Sequence, residues 1–254
     1  QTVALIAAIF NNNNQFTEAV DVTETYRLTD TLNVDVNRQN AKAYCMLKEY
    51  KISVNRYEAL KAMGDRSFTT LYYLGVSQYA DNWPYGARDN LLEAHKKNPM
   101  DVNVLYYLAK ACARSSWKEE GIAYMNKAFD MVVPTDSMMI RLYDGLLECY
   151  KFHTKADPYE KIEVMKEAYS YTKRYTLFYQ IAEIYDYQKD YVNAVHYYEK
   201  YMALVPKDKQ VALDDEGNPM PEIDTMYQKA RRRVEKIKVE DFFRNGAHDD
   251  YFEW

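Results

Sequence analysis

Residues that turn or break a chain are scarce: seven glycines and seven prolines in 254 residues. A β-sandwich or barrel spends many more of them on its turns, so an all-α fold is favoured before any pattern is read. Long apolar runs are missing too. The longest, Val3 to Phe10, falls far short of the roughly 18–20 residues that span a bilayer, so no membrane span is expected. It also lacks the basic leader of a signal peptide. Cys45, Cys112 and Cys149 are odd in number, far apart and without a CxxC pair, which reads as three buried thiols rather than a disulfide framework. A glycine-rich phosphate loop, HExxH and GxSxG are absent, and His95, His153, His196 and His248 are scattered. Asp214-Asp215-Glu216-Gly217 lacks the alternating ligand spacing of a calcium loop, and Asp249-Asp250 reads as a solvated pair. No metal, cofactor or catalytic constellation is expected, and hence no enzyme. A net charge of −5 with no long basic stripe argues against nucleic acid as a partner.

What is present is a globular balance of 48% apolar and 28% charged residues, with tyrosine as the outlier at 26 copies. The chain opens at Gln1 without a methionine, as a processing site or another boundary would leave it. A cleaved export signal is compatible with that start, and free thiols suit a reducing compartment, so the location stays open.

A period runs through the sequence. Leu71, Leu74, Gly75, Ala87, Leu91, Ala94 and Pro99 set a register. A step of 34 forward gives Leu105, Leu108, Ala109, Gly121, Met125 and Ala128, with Pro134 one place late. A step back gives Asn37, Asn40, Ala41, Ser53, Tyr57 and Leu60, and a second gives Val3, Ile6, Ala7, Ala19 and Tyr26. A later copy holds Phe178, Ile181, Ala182, Tyr185, Ala194, Tyr198, Tyr201 and Pro206. Between them lies a copy with about five extra residues around His153 to Pro158, built on Met139, Leu142, Tyr143, Leu146, Ile162, Met165 and Ala168. Apolar residues recur three and four places apart in every copy, as amphipathic helices require. Small residues fall once on each helix of a copy, where two antiparallel helices approach closely. Asp101, Asp157 before Pro158, and Asp190 are placed to cap helices. Such a hairpin leaves a face uncovered and is stable only when stacked on its neighbours.

This pattern resembles the tetratricopeptide repeat family over residues 1 to about 206. Leu74-Gly75, Ala87, Ala94 and Pro99 match its leucine-glycine, alanine and proline positions, and Tyr185 and Pro206 its tyrosine and proline. The resemblance implies an α-solenoid, a right-handed superhelix of six helix hairpins at approximately 1–33, 34–67, 68–101, 102–135, 136–174 and 175–206. Asn37, Asn40 and Tyr143 depart from it and suggest looser packing in the second and fifth copies. An acidic loop follows at 207–221. A capping helix then spans 222–245, with Ile223, Met226, Tyr227, Ala230, Val234 and Ile237 on one stripe and Arg231, Arg232, Arg233, Lys236 and Lys238 elsewhere. The tail 246–254 alternates acids and aromatics. At the other end, Val3 to Phe10 is apolar on nearly every side, which suggests a cover: an upstream repeat or a second copy.

The resemblance further implies that the first helix of each copy lines a concave groove and meets a protein or peptide ligand. In this register the groove positions are Arg38, Lys42, Tyr72, Val76, Tyr79, Tyr106, Lys110, Arg114, Arg141, Asp144, Glu148, Tyr179, Glu183, Asp186 and Tyr187. Tyrosine suits recognition surfaces, and the charges run from basic to acidic along the set. The family's clamp for a terminal carboxylate is not reproduced, since Tyr72, Tyr73 and Val76 stand where Lys and Asn are needed. The expected function is a binding scaffold or adaptor. Alternatives are a regulatory or sensory arm of a larger polypeptide or envelope complex, and glycan or small-ligand binding along the tyrosines. Self-association is expected through the first helix or through the tail, whose acids and rings complement a basic, tyrosine-lined groove.

Overall fold

A computed structural model describes residues 1–213, 216–218, 220 and 224–245, the last five of these for the backbone alone. The expected start of the last helix at Glu222 and Ile223, the pair Asp214-Asp215 and the tail 246–254 lie outside the described residues. Among the described residues there are thirteen α-helices and no strand. They are α1 (Thr2–Asn12), α2 (Phe16–Arg27), α3 (Val34–Met46), α4 (Tyr50–Ala62), α5 (Phe68–Ala80), α6 (Pro84–Lys97) and α7 (Val102–Ala113). Then come α8 (Lys118–Asp130), α9 (Asp136–Phe152), α10 (Pro158–Thr172), α11 (Thr176–Tyr187), α12 (Tyr191–Leu204) and α13 (Met226–Asn245). The chain divides into two compact units, Gln1–Thr154 and Lys155–Trp254. The boundary falls between α9 and α10, inside the fifth sequence copy.

In the first unit the helices pair as antiparallel hairpins, each second helix also packing on the next first helix, while the first helices α1, α3, α5, α7 and α9 lie side by side. The same local chemistry recurs every 34 residues. Asn33, Ser67, Asp101 and Thr135 each accept a hydrogen bond from the backbone N–H three residues on and so cap α3, α5, α7 and α9. Within the hairpins, Asn14, Lys48 and Asn82 sit in the left-handed region at φ 60°, 65° and 63°. The next N–H in each case, from Gln15, Glu49 or Trp83, reaches back to Phe10, Tyr44 or Gln78 at 2.8–2.9 Å and closes a tight helix end.

The small residues sit where helices cross. Ala7, Ala41 and Ala109 on first helices, and Ala19, Ser53 and Ala87 on second helices, have no exposed surface. Gly121 shows why: a Cβ there would lie 2.8 Å from the Ala109 carbonyl oxygen. Large residues fill the seams, with Leu71, Leu74, Leu91, Leu105, Leu108 and Met125 all fully buried. Cys45, Cys112 and Cys149 are buried and free, and burial pushes the Cys112 thiol up to about 11 and Cys149 up to about 12. The extra length of the fifth copy lies in helix as well as in the connection, since α9 has 17 residues against 13 in α5 and 12 in α7.

Two expectations are corrected. The departures at Asn37 and Asn40 do not loosen the second copy; both are buried and hydrogen-bonded. Asn40 donates to Thr23 Oγ1 at 2.9 Å and to Glu24 Oε1 at 3.0 Å, and Asn37 donates to the Thr31 carbonyl at 2.8 Å. The last helix begins at Met226, because Thr225 and Gln228 form a reciprocal cap: the Thr225 hydroxyl accepts from Gln228 N at 3.2 Å and Gln228 Oε1 accepts from Thr225 N at 2.9 Å.

In the second unit α10 packs on α11, α11 on α12 and α12 on α13. Ala230, Val234 and Ile237 of α13 are buried. Arg233, expected on the polar back of that helix, instead donates from Nε and one Nη to the two oxygens of Asp186, both at 2.6 Å. At the start of the chain, α1 buries Ala7 and Asn11 only, and Leu5 and Ile9 are 65% and 59% exposed.

Candidate ligand-binding face

The expected groove residues divide between the two units. Arg38 to Glu148 lie on α3, α5, α7, α9 and the α7 end in the first; Tyr179, Glu183, Asp186 and Tyr187 lie on α11 in the second.

In the first unit the face is built on two tyrosine doublets, Tyr72-Tyr73 on α5 and Tyr106-Tyr107 on α7, spaced 34 apart. Tyr72 meets Tyr73 edge-on with centroids 5.0 Å apart and Tyr107 at 6.2 Å. Tyr107 in turn meets Tyr79 at 6.2 Å and Tyr106 at 5.2 Å. Val76 packs half-buried against the same cluster. Tyr73 and Tyr107 were not among the expected site residues, although the repeated doublet marks them.

Cations lie over these rings. Lys110 sits 5.1 Å from the Tyr79 centroid and 5.0 Å from that of Tyr106. Arg114 covers Tyr79 at 5.1 Å, and Arg141 covers Tyr106 at 4.4 Å. Such pairs hold a charge beside an apolar plane and leave its donors pointing outward. Glu148 of α9 closes the centre of the set. It pairs with Lys110 at 3.0 Å and accepts the Tyr79 hydroxyl proton, which ties α5 to α9 across α7. Burial and that hydrogen bond push the Tyr79 phenol up to about 12. Burial opposes the Lys110 charge, but the Tyr106 oxygen, Glu148 and Tyr79 outweigh it and raise the lysine above its ordinary value. Asp144 stands exposed on α9.

Arg38 is not part of this arrangement. Its guanidinium donates to Asp65 at 2.9 and 3.1 Å and to Asp35 at 2.9 Å. Burial would raise the Asp65 carboxyl, but donors from Thr70, Ser67 and Arg38 hold it down at about 2. Lys42 lies 5.9 Å from the Tyr73 centroid.

In the second unit Tyr179 meets Tyr198 and Tyr201 edge-on at 5.5 and 5.3 Å. Asp186 is taken up by Arg233, whose guanidinium it holds above the ordinary arginine value. Glu183 and Tyr187 are exposed. Among the described residues no group of three or more His, Cys, Asp or Glu could hold a metal ion, and no helix is long and apolar enough to cross a membrane.

No protein-family model matches the chain, and no curated protein matches it in sequence. Solved structures do match. YrrB, described as a TPR protein with an unusual peptide-binding site, superposes with a TM-score of 0.55 at 14% identity, over 69% of this chain and 87% of its own. The C-terminal part of a TPR repeat-containing protein from Cytophaga hutchinsonii gives 0.58 at 14% identity, over 79% and 78%. A tetratricopeptide repeat protein from Parabacteroides merdae gives 0.51 at 15% identity, over 81% and 78%. The chain has the tetratricopeptide-repeat fold. At these identities the likeness shows the fold alone, an all-α solenoid. The face of α5, α7 and α9 has to be read from its own residues.

Proposed function

We propose that the protein is a non-catalytic scaffold or adaptor that takes a peptide segment onto the first-helix face of residues 1–154. The observation that carries this reading is the ring cluster of half-buried Tyr72, Tyr73 and Tyr107 packed on buried Tyr79 and Tyr106, with Lys110, Arg114 and Arg141 over the buried pair. Aromatic planes with few torsions to freeze, beside oriented cations, are the composition of recognition surfaces. The peptide-binding described for YrrB supports it by analogy of fold.

The test is a random-peptide display selection against the full chain, followed by photocrosslinking of the selected peptides. A benzophenone amino acid at position 76, on this face, is expected to crosslink; the same probe at exposed position 127 on α8 is expected to stay silent. Crosslinks at 127 without crosslinks at 76 would refute the assignment.

A second reading, self-association through α1, rests on the exposed Leu5 and Ile9. It expects a dimer mass in solution that Leu5→Glu with Ile9→Glu reduces to a monomer mass. A wild-type monomer at high concentration defeats it.

A further inference from the structure

We infer that the ligand of this face is an acidic peptide segment carrying two side-chain carboxylates about four residues apart in an extended backbone, received by Arg114 and Arg141. The inference rests on the face assignment above and adds the chemistry of the ligand.

The arginines of the first unit differ in how their charge is balanced. Arg27, Arg38, Arg56, Arg66 and Arg88 each hold a carboxylate. Arg114 and Arg141 do not: among the described residues neither has a carboxylate within ion-pair distance. Each instead donates to one side-chain amide oxygen, Arg114 to Asn82 at 2.6 Å and Arg141 to Asn103 at 2.8 Å, and both bonds are exposed. Each guanidinium plane also rests on a tyrosine ring. The two are therefore oriented and charged, with most of their five donors left over. A planar fork held in place by a ring and an amide is suited to bidentate capture of a carboxylate.

The cation between them differs. Lys110 is already neutralised by Glu148. That internal pair fills the centre of the face and leaves the two ends as separate anion sites.

Arg114 and Arg141 cover different rings, Tyr79 at 5.1 Å and Tyr106 at 4.4 Å, and the Lys110 ammonium lies 5.1 and 5.0 Å from the same two centroids, so the two guanidiniums form separate sites beside the lysine. An extended peptide advances ~3.3 Å per residue, so side chains four apart span ~13 Å and fall on one side of the strand.

The experiment measures fluorescence anisotropy with acetylated and amidated dodecapeptides, so that no terminal carboxylate contributes. One peptide carries two glutamates four apart, one carries them adjacent, one carries lysines at the same positions and one carries glutamines. The spaced glutamate peptide is expected to bind at least tenfold more tightly than the glutamine and lysine peptides, and more tightly than the adjacent one. Arg114→Gln and Arg141→Gln are each expected to weaken it roughly tenfold and to flatten its salt dependence. Lys97→Gln, on exposed α6, leaves it unchanged. Circular dichroism confirms that both variants stay folded. The arginine-to-lysine variants keep the charge but lose the fork, and recover only part of the affinity. Equal affinity for all four peptides with crosslinking retained at position 76 overturns this inference and leaves the face assignment standing. Failure to crosslink at 76 overturns the face assignment itself, and absence of binding by every peptide overturns the inference.

Discussion

The seam between the first two hairpins and the seam between the third and fourth solve the same geometric problem with different chemistry. At the later seam Leu71, Leu91, Leu105 and Leu108 have no exposed surface, and the buried clusters around Leu91 with Leu108 and around Leu71 with Ala94 and Val104 are mainly apolar and aromatic. At the earlier one Thr23 and Glu24 of α2 meet Asn40 and Tyr44 of α3, and Asn11 of α1 donates to Gln39 at 3.0 Å. Glu24 also accepts from Arg56 at 3.0 Å, and these donors keep its carboxyl below the ordinary value in spite of burial, which acts to raise it. In a repeat array, stability is a sum of hairpin terms and nearest-neighbour seams. Apolar burial contributes more per seam than hydrogen bonds exchanged with water. The comparison predicts a graded first unit: the hairpin of α1 and α2 is expected to open first and the α5–α8 block last.

The largest test removes part of the strong seam. Leu108→Ala is expected to cost about 3 kcal/mol, measured by denaturant unfolding, and to lower hydrogen-exchange protection throughout α5–α8. A loss confined to α1 and α2 would reverse the grading. The next test addresses the link between the two regions, where Arg38 of α3 is tied to Asp65 just before α5. The folded Asp65 carboxyl sits at about 2, below its ordinary 3.8. Its contribution is therefore complete above pH ~4 and is lost as pH falls toward 2. Asp65→Asn is expected to cost about 2 kcal/mol at neutral pH and to flatten that part of the acid-unfolding profile. An unchanged profile would show that the ion pair adds nothing across the boundary.

The third test rebuilds the weak seam in the image of the strong one. The Oδ1 atom of Asn40 is buried with no partner among the described residues, and the Thr23 hydroxyl is already satisfied by the Ala19 carbonyl at 2.6 Å. Thr23→Val with Asn40→Leu is expected to stabilise α1–α3 by about 1 kcal/mol, read as slower exchange of α2 amides. Faster exchange would mean the polar seam is the better solution for that crossing.

These seams mark where sequence reading succeeds. The repeats were legible because Ala7, Ala41, Gly75 and Ala109 recur at one step, and a close crossing tolerates little else. The caps were half legible. Asp101 stands out by type, whereas Asn33, Ser67 and Thr135 share its place but not its side chain. The asparagine seam was misread, because the partners of Asn40 lie 16 and 17 residues upstream on another helix and periodicity carries no pairing information. The face suffered in the same way. Register placed Lys110, Arg114 and Arg141 on one layer, but nothing in the order of residues pairs Tyr79 with Glu148, 69 positions away, or binds Arg38 to Asp65.

The smallest test concerns the turns that the first three hairpins share. Asn14, Lys48 and Asn82 adopt the same left-handed conformation, yet only asparagine tolerates it well. Lysine at φ 65° pays for a Cβ set against the preceding carbonyl, a cost of ~1–2 kcal/mol. Glycine removes that cost and gives back ~0.5–1 kcal/mol through its freer unfolded chain. Lys48→Gly is therefore expected to raise stability by about 0.5 kcal/mol. Asn82→Gly offers no such gain, since Asn82 starts from a tolerated conformation and also anchors Arg114. Because Lys48 turns the hairpin that adjoins the weak seam, the gain should appear as slower exchange in α3 and α4 and leave α7 and α8 as they were. An equal gain in both blocks would mean that the turns, and not the seams, set the gradient along the array.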